Sequence, residues 1–264
     1  MNTSVSTVTA LRAAPSVLRI LFLETQMEFL RLLRSPSFSV PVLSFPLMFY
    51  VLFAVVLGPP SAHNGALARH LLATYSVFGV MAPGLFGLGV TLAMDRERGL
   101  LELKRALPMP SGAYLGARVI MTAVFAAIVS VALMLLSATV GAVVLEAAQW
   151  FTLFIASVMG VLPFCSLGLF IGTLTKGQAA PAVINLVYLP MSFLSGLLLP
   201  MSIMPRFIQQ IAPLWPSWHL AQLTLHIVDN DDAPGLSLAA HVLAVVGEAV
   251  VFFVLARRRL SKLR

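Results

Sequence analysis

The sequence predicts an all-α integral membrane protein. We expect six transmembrane helices, an N-terminal interfacial amphipathic helix, a cytoplasmic helix between the second and third spans, and a short external re-entrant or interfacial helix. Of the 264 residues, 59% are hydrophobic and 10% are charged, with a mean hydropathy of +0.95, which leaves too little polar surface for a soluble domain. The apolar residues gather in stretches close to the ~20 residues that a helix needs to cross a bilayer. The basic residues cluster at the ends of these stretches, a pattern typical of a membrane protein oriented by charge.

The segment from Ser16 to Arg34 predicts the interfacial helix, which ends before Ser35-Pro36. Arg19, Glu24, Glu28 and Arg31 are assigned to a polar, solvent-facing side. A strip of this kind is expected to lie flat in the cytoplasmic interface, because the chain offers no soluble domain on which an ordinary exposed helix would pack. The apolar positions that follow the helical i, i+3, i+4, i+7 rule are Leu18, Leu21, Phe22, Thr25, Phe29, Leu32 and Leu33.

The whole chain, 1–264, is expected to form one transmembrane domain with spans at 38–57, 70–94, 119–142, 151–174, 180–200 and 238–256. With both termini in the cytoplasm, only Arg69 and Arg206 of the 17 basic residues lie outside, so the charge bias predicts this orientation. The same clustering argues against a nucleic-acid partner despite the pI of about 10.3. Outside, 201–222 is expected to form a helical hairpin, whose apolar part, 206–212, is too short to span.

A charged island between the second and third spans, residues 95–118, is the most informative segment. It holds eight of the 27 charged residues, with mixed signs, between two apolar stretches. Within it, 95–108 is expected to form an amphipathic helix that Pro108 and Pro110 end. Basic residues alone would be enough to orient the protein in the membrane, so the mixed charges of this segment predict a docking site for a partner. The simpler interpretation is a solvated turn that only fixes the topology. The charged residues of the island are Asp95, Arg96, Glu97, Arg98, Glu102, Lys104, Arg105 and Arg118.

The island resembles the cytoplasmic loop of ABC-2-type transporter permeases. That family shows a Glu-x-Gly-(Thr/Ser)-x-Glu pattern, and this chain has Glu97, Gly99 and Glu102, with Leu100 at the Thr/Ser position. A Pro-rich turn, 107–110, follows as in the family. The run 194–200 with Pro205 and Pro213 resembles the fifth span and short external helix of the family. Together with the N-terminal helix and six spans, the resemblance covers essentially the whole chain.

The resemblance implies the membrane subunit of an ATP-driven exporter in the bacterial plasma (inner) membrane. Such permeases pair with a second copy or a paralogue, and each couples to a cytoplasmic ABC ATPase subunit through the loop after the second span. The resemblance assigns that coupling role to Glu97, Gly99 and Glu102, with neighbours Arg98, Leu101 and Arg105. The expected cargo is hydrophobic or amphipathic: a drug, a lipid or a glycan-like molecule.

The chain itself is predicted to be no enzyme, with no catalytic residue, metal site or bound cofactor. A phosphate loop needs Gly-x4-Gly-Lys-Ser/Thr, and the nearest stretch, 172–177, lacks that order. ATP and Mg²⁺ are therefore expected on the partner ATPase. The single cysteine, Cys165, offers no disulfide.

Several polar residues lie inside the predicted spans. Glu248, near the middle of the sixth, would cost at least about 2.5–3.5 kcal/mol as a charge, and His241 is two turns away on the same face. Either a proton or substrate contact or an interhelical tie would explain this acid. In the fifth span, Asn185, Tyr188, Ser192 and Ser195 form either a thin polar lining of a substrate path or ordinary interhelical hydrogen bonds. Gly168-x3-Gly172 favours close helix approach, with bending of the helix as the alternative.

Two other function classes compete with the permease. A proton- or ion-coupled secondary transporter using Glu248 would need paired intramembrane ionisable groups and often an internal repeat, and neither is found in the sequence. An intramembrane serine enzyme would need an activated Ser with a His at matching depth. Ser195 lacks the Gly two residues earlier that such a site expects.

Overall fold

The computed structural model describes residues 16–57, 65–100, 103, 111–229 and 236–262. Every regular element in these ranges is helical. The α2 helix continues as a π-helix, Val51–Val56, and two 3₁₀ turns, Met201–Ile203 and Ala212–Leu214, flank α8. The α-helices are α1 Val17–Leu33, α2 Pro36–Tyr50, α3 Ala66–Glu97, α4 Ser111–Thr139, α5 Ala147–Met159, α6 Val161–Leu174, α7 Ala180–Leu194, α8 Arg206–Ile211, α9 Pro216–Asp229 and α10 Leu238–Lys262.

Five helical stretches in the described ranges are long and apolar enough to cross a membrane. They are Pro36–Val56, Ala66–Glu97, Gly112–Thr139, Ala147–Leu174 and Leu238–Lys262. The predicted fifth span, 180–200, is the shorter helix α7 of 15 residues, which ends before Gly196 adopts a left-handed φ of 74°. The all-helical, multi-pass architecture is therefore confirmed, whereas the count of six spans stays a prediction.

The α3 helix is the centre of the bundle. It is mostly buried and packs on α2, α4, α6, α7 and α9. By contrast, α10 packs on α6 and α9 along one edge, and its apolar side chains are largely exposed. Because a membrane span needs no polar surface, these outward apolar faces fit contact with lipid or with a second subunit.

Glycines bring the backbones of α3 and α6 into direct contact. A Cβ on Gly168 would lie 2.7 Å from the Leu85 carbonyl oxygen, and one on Gly172 would lie 2.6 Å from the Gly89 carbonyl oxygen. Only hydrogen atoms fit at these positions. The close approach predicted for the Gly168-x3-Gly172 pair is confirmed.

Two elements differ from the predicted boundaries. The helix that contains the predicted third span begins at Ser111, before the predicted span start at 119, and Arg118 lies inside this helix with buried partners instead of ending a loop. The segment predicted as an external hairpin contains a short helix, α8, and a longer one, α9, which the sequence analysis did not separate. Thr224 anchors α9 by donating to the Ala73 carbonyl of α3 at 3.0 Å.

The bundle has one end that carries most of the charged contacts, here called the charged end. There α3 ends and α4 begins, α1 lies across α4, and α6 is joined to α7 by residues 175–179. The opposite end, called the far end, holds α8 and α9.

Candidate coupling site

The α3 helix ends at the first predicted coupling residues. Gly99 adopts a left-handed φ of 68°, and its N–H donates to the Arg96 carbonyl at 3.2 Å. The Leu103 N–H donates back to the Gly99 carbonyl at 3.2 Å, which starts a new helical turn. A glycine adopts this conformation without Cβ strain. Gly99 therefore turns the chain sharply away from the second span.

Glu97 and Arg98, which directly precede Gly99, are exposed, so a partner can reach them. Glu97 Oε2 also accepts from the Gln178 N–H at 3.2 Å, and Arg96 donates to the Thr173 and Thr175 carbonyls, both at 2.5 Å. These two carbonyls lie at the C-terminus of α6, where a cation is favourable. The end of α3 is thus fastened to the loop between α6 and α7. Leu101, Glu102 and Arg105 lie outside the described residues, and their coupling role stays a prediction.

Directly beneath this junction lies a buried set of three charged residues, here called the charge cluster: Glu28 of α1, Asp95 of α3 and Arg118 of α4. The Arg118 guanidinium donates to Asp95 Oδ2, to Glu28 Oε1 at 3.2 Å and to the Thr91 hydroxyl at 2.6 Å. Asp95 and Arg118 are 1% exposed and Glu28 is 5% exposed. Buried charges of this kind persist only when they are paired and hydrogen-bonded.

Two further side chains complete the surroundings of the charge cluster. The Tyr114 hydroxyl donates to Asp95 Oδ2 at 2.9 Å, and its ring lies 4.4 Å beneath the Arg118 guanidinium carbon. Arg31 reaches both acids at 3.5 Å, while its own side chain remains 42% exposed. Two acids and two bases meet, so the formal charges balance. Arg118 is the inner cation and Arg31 the outer one.

The charge cluster corrects two sequence-based assignments. Glu28 was expected on the solvent-facing side of α1, and Asp95 and Arg118 were expected in an exposed tip; all three are buried. Glu28 lies on the helix face that packs against α4, whereas Phe22 and Met27 are exposed. A face assigned from apolar residues alone misses an acid that pairs across helices. One feature of the sequence could have indicated this burial: the ends of three apolar helices carry charges of opposite sign at one membrane depth.

The polar residues of the predicted fifth span do not line one path. Tyr188 is buried and stacks on Phe78 with ring centroids 5.3 Å apart, and the Ser192 hydroxyl donates to the Tyr188 carbonyl at 2.7 Å. Ser195 is buried against the Ser217 hydroxyl. Asn185 is exposed on the outside of the bundle. The first three therefore pack within the subunit, whereas Asn185 is exposed to other molecules; a role of these residues in a substrate path stays a prediction.

Within the described residues, no hydrogen bond joins Glu248 to His241. His241 Nδ1 lies 3.0 Å from His219 Nδ1, and His219 Nε2 lies 3.0 Å from the Pro213 carbonyl. Since that carbonyl only accepts, His219 Nε2–H donates to it, and His219 Nδ1 accepts from His241. Burial lowers the pKa of His219 from its ordinary value, although the bond to the Pro213 carbonyl raises it, which agrees with this neutral form. Glu248 Oε2 is buried without a hydrogen-bond partner in the described part of the chain.

Replacing Gly99 with alanine tests the turn. At a φ of +68° a Cβ costs roughly 1–2 kcal/mol, so thermal unfolding in detergent should shift to lower temperature. Gly99→Asn should cost less, because asparagine tolerates this conformation. Gly112→Ala is the matched control, since a Cβ there meets nothing within 4 Å and no positive φ is involved. Equal effects of the two alanine substitutions would contradict the assigned turn.

Comparisons with known proteins identify the family of this chain. The model of the ABC-2 type transporter family matches residues 20–227, from α1 to α9, and includes the charge cluster and the Glu97–Gly99 turn. The chain is also 26% identical over 230 residues to a protein of Bacillus subtilis (strain 168) named "Putative transport permease YvfS". That match covers 87% of this chain and 92% of the relative. Because the family model covers most of its length, the chain belongs to the ABC-2 type transporter family.

Proposed function

We propose that this chain is the membrane subunit of an ABC exporter, driven by a separate cytoplasmic ATPase. Membership of a family of transport permeases supports a transport role, and such permeases associate with an ABC ATPase. The ATPase would supply ATP and Mg²⁺ binding, while this chain forms the membrane passage and binds no cofactor. The charge bias supports an orientation with the charged end and both termini in the cytoplasm, and the membrane we propose is the inner membrane of a bacterium.

The observation that carries this proposal is the junction at Glu97, Arg98 and Gly99. Exposed charged side chains stand there at the end of α3, the most buried helix of the bundle. A helix packed on most of the other helices transmits a displacement of its end to the whole bundle, because packed interfaces move as bodies rather than deform. A partner that pushes on this junction therefore moves the second span, and through Arg96 and Glu97 the end of the fourth span also.

The cargo we propose is hydrophobic or amphipathic, of drug, lipid or glycan-like chemistry. The charged residues described near the membrane interior are largely paired within the charge cluster, which leaves an apolar interior unsuited to small ions. A second permease, identical or paralogous, would pack on the outward apolar faces and meet Asn185. Proton coupling through Glu248 is the competing proposal, favoured only by its unbonded, buried oxygen.

The test reverses the charge of the coupling segment. We expect the double substitution Glu97→Lys and Glu102→Lys to reduce co-purification of the ATPase from the native membrane roughly tenfold or more, as for charge pairs at an interface. Arg206→Glu is the control, because it reverses an exposed charge at the far end. Glu97→Gln keeps an acceptor for the Gln178 N–H and separates docking from loss of that bond.

Three results would count against the proposal. One is that the ATPase remains bound after the double charge reversal, and another is that it is lost equally with Arg206→Glu. The third is that the purified permease in vesicles accumulates substrate under a proton gradient without any ATPase, and loses this activity with Glu248→Gln. That last result would establish the secondary transporter instead.

A further inference from the structure

The charge cluster occupies a position that the docking function does not explain. Asp95 lies two residues before Glu97, which is about 3 Å along a helix. It is therefore the first buried group that a displacement of the coupling junction meets. Its partners lie on two other helices, Glu28 on α1 and Arg118 on α4.

Of the contacts that the charge cluster makes, the one to α1 adds most to the connection between helices, because α3 and α4 already pack against each other along their length. A Cβ on Gly87 of α3 would lie 2.7 Å from the Thr122 side chain of α4, which shows how close these two helices are. Apart from the charge cluster, α1 meets α4 mainly through apolar contacts, such as Phe29 on Phe125 with ring centroids 5.0 Å apart. The Thr25 hydroxyl adds a long contact of 3.4 Å to the Ala117 carbonyl oxygen, but it donates at 2.8 Å to the Leu21 carbonyl of its own helix. Apolar contacts are non-directional and permit sliding, whereas a hydrogen-bonded charge set holds one register.

The α1 helix in turn leads directly into the first span. It ends at Leu33, and α2 begins at Pro36, so only Arg34 and Ser35 separate them. A short connection of this kind passes a displacement of α1 to α2. The charge cluster therefore stands between the coupling junction and the first span.

We propose that Glu28, Asp95 and Arg118 are positioning residues for coupling, which fasten α1 to the α3–α4 pair so that the first span moves with the second and third. This inference rests on the proposed function. Arg118, which is buried, binds both acids at once and so joins α1 to α3. Arg31 covers the outer side of both acids and shields them from water.

The first experiment follows the first span in the intact permease–ATPase complex in nanodiscs. Spin labels are placed at Leu57→Cys, at the end of the first span, and Leu238→Cys, at the start of the last, in a Cys165→Ala background. Both leucines are exposed, at 61% and 48%, and Cys165 is buried, so the labels report on the far end without disturbing the core. Double electron–electron resonance then measures the label distance without nucleotide and after trapping with ATP and vanadate.

The test variant removes the cluster's charges together: Glu28→Gln, Asp95→Asn and Arg118→Met, here called the neutral-cluster variant. Its control removes an ion pair at the far end, Arg69→Gln with Asp229→Asn, whose atoms are 3.5 Å apart between α3 and α9. We expect the neutral-cluster variant to retain the ATPase and hydrolyse ATP, but to lose the vanadate-induced distance change. The control should keep that change.

The second experiment replaces the charge cluster with a covalent link. A Cβ on Gly116 of α4 would lie 3.4 Å from the Leu21 side chain of α1, so Leu21→Cys with Gly116→Cys brings two thiols together. In the neutral-cluster variant, this pair is oxidised before the cysteines at 57 and 238 are labelled through thioether bonds, so that a reductant opens only the cross-link. The oxidised pair should restore the distance change, and reduction should abolish it again. A merely structural role of the cluster predicts no such recovery.

The outcomes separate the two proposals. No distance change in the unsubstituted labelled complex would contradict the proposed ATP-driven function itself. A normal change in the neutral-cluster variant, or no recovery on oxidation, would overturn the positioning role while leaving the proposed function intact.

Discussion

Replacing Arg118 alone with methionine should destabilise the folded protein by about 3–5 kcal/mol, the range for breaking a buried ion pair by removing one partner. Methionine fills a similar volume but leaves Asp95 and Glu28 facing each other in a site from which water is excluded. Arg31 compensates only in part, since it is 3.5 Å from each acid and 42% exposed. The measurement is the midpoint of unfolding in mixed detergent micelles, followed by circular dichroism.

The neutral-cluster variant supplies the control for this prediction. Replacing all members of a buried charge set together is often neutral or stabilising, because the desolvation cost disappears along with the attraction. We therefore expect Glu28→Gln, Asp95→Asn and Arg118→Met in one chain to recover most of the stability lost by Arg118→Met. A triple variant as unstable as the single one would show that arginine's packing on the Tyr114 ring, rather than its charge, stabilises the site.

The architecture could be predicted from the sequence because hydropathy and helical length are local properties. A span needs only enough consecutive apolar residues, so the predicted first helix and second span end within a few residues of α1 and α3, and the predicted last span begins where α10 begins. Gly99 could be predicted as important from its motif, and the structure supplies the reason, a left-handed turn. Close approach at Gly168 and Gly172 followed from their spacing alone.

The charge cluster could not be predicted in the same way, because its members are far apart in sequence. Glu28 is 90 residues from Arg118, and only the packing of α1 on α4 brings them together. A helical wheel places Glu28 on the polar side of α1. It cannot show whether the carboxylate there meets water or the buried guanidinium of Arg118. The same limit applies to His219 and His241, which the fold pairs across two helices. Their partners were assigned by tertiary contacts that no local pattern encodes.

The second large effect is expected at the contact of α3 with α6. Gly168→Ala should destabilise the protein by about 1–3 kcal/mol, the usual cost of overpacking. The added Cβ would lie 2.7 Å from the Leu85 carbonyl oxygen, 2.9 Å from the Gly84 carbonyl oxygen and 2.9 Å from the Leu85 Cα. All three are backbone atoms, so no flexible side chain gives way, and the two helices must separate.

The same substitution at Gly247 should stabilise the protein instead of destabilising it. Gly247 lies within α10, and a Cβ there meets nothing within 4 Å, so Gly247→Ala gains helix propensity of roughly 0.5–1 kcal/mol without a clash. Thermal unfolding of the two variants in one detergent therefore separates contact from propensity, because both exchange glycine for alanine inside an apolar helix. If both variants were stabilised, the backbones of α3 and α6 would have to lie farther apart than described. The rigid α3–α6 pair, through which a displacement at Glu97 reaches the fourth span, would then be lost.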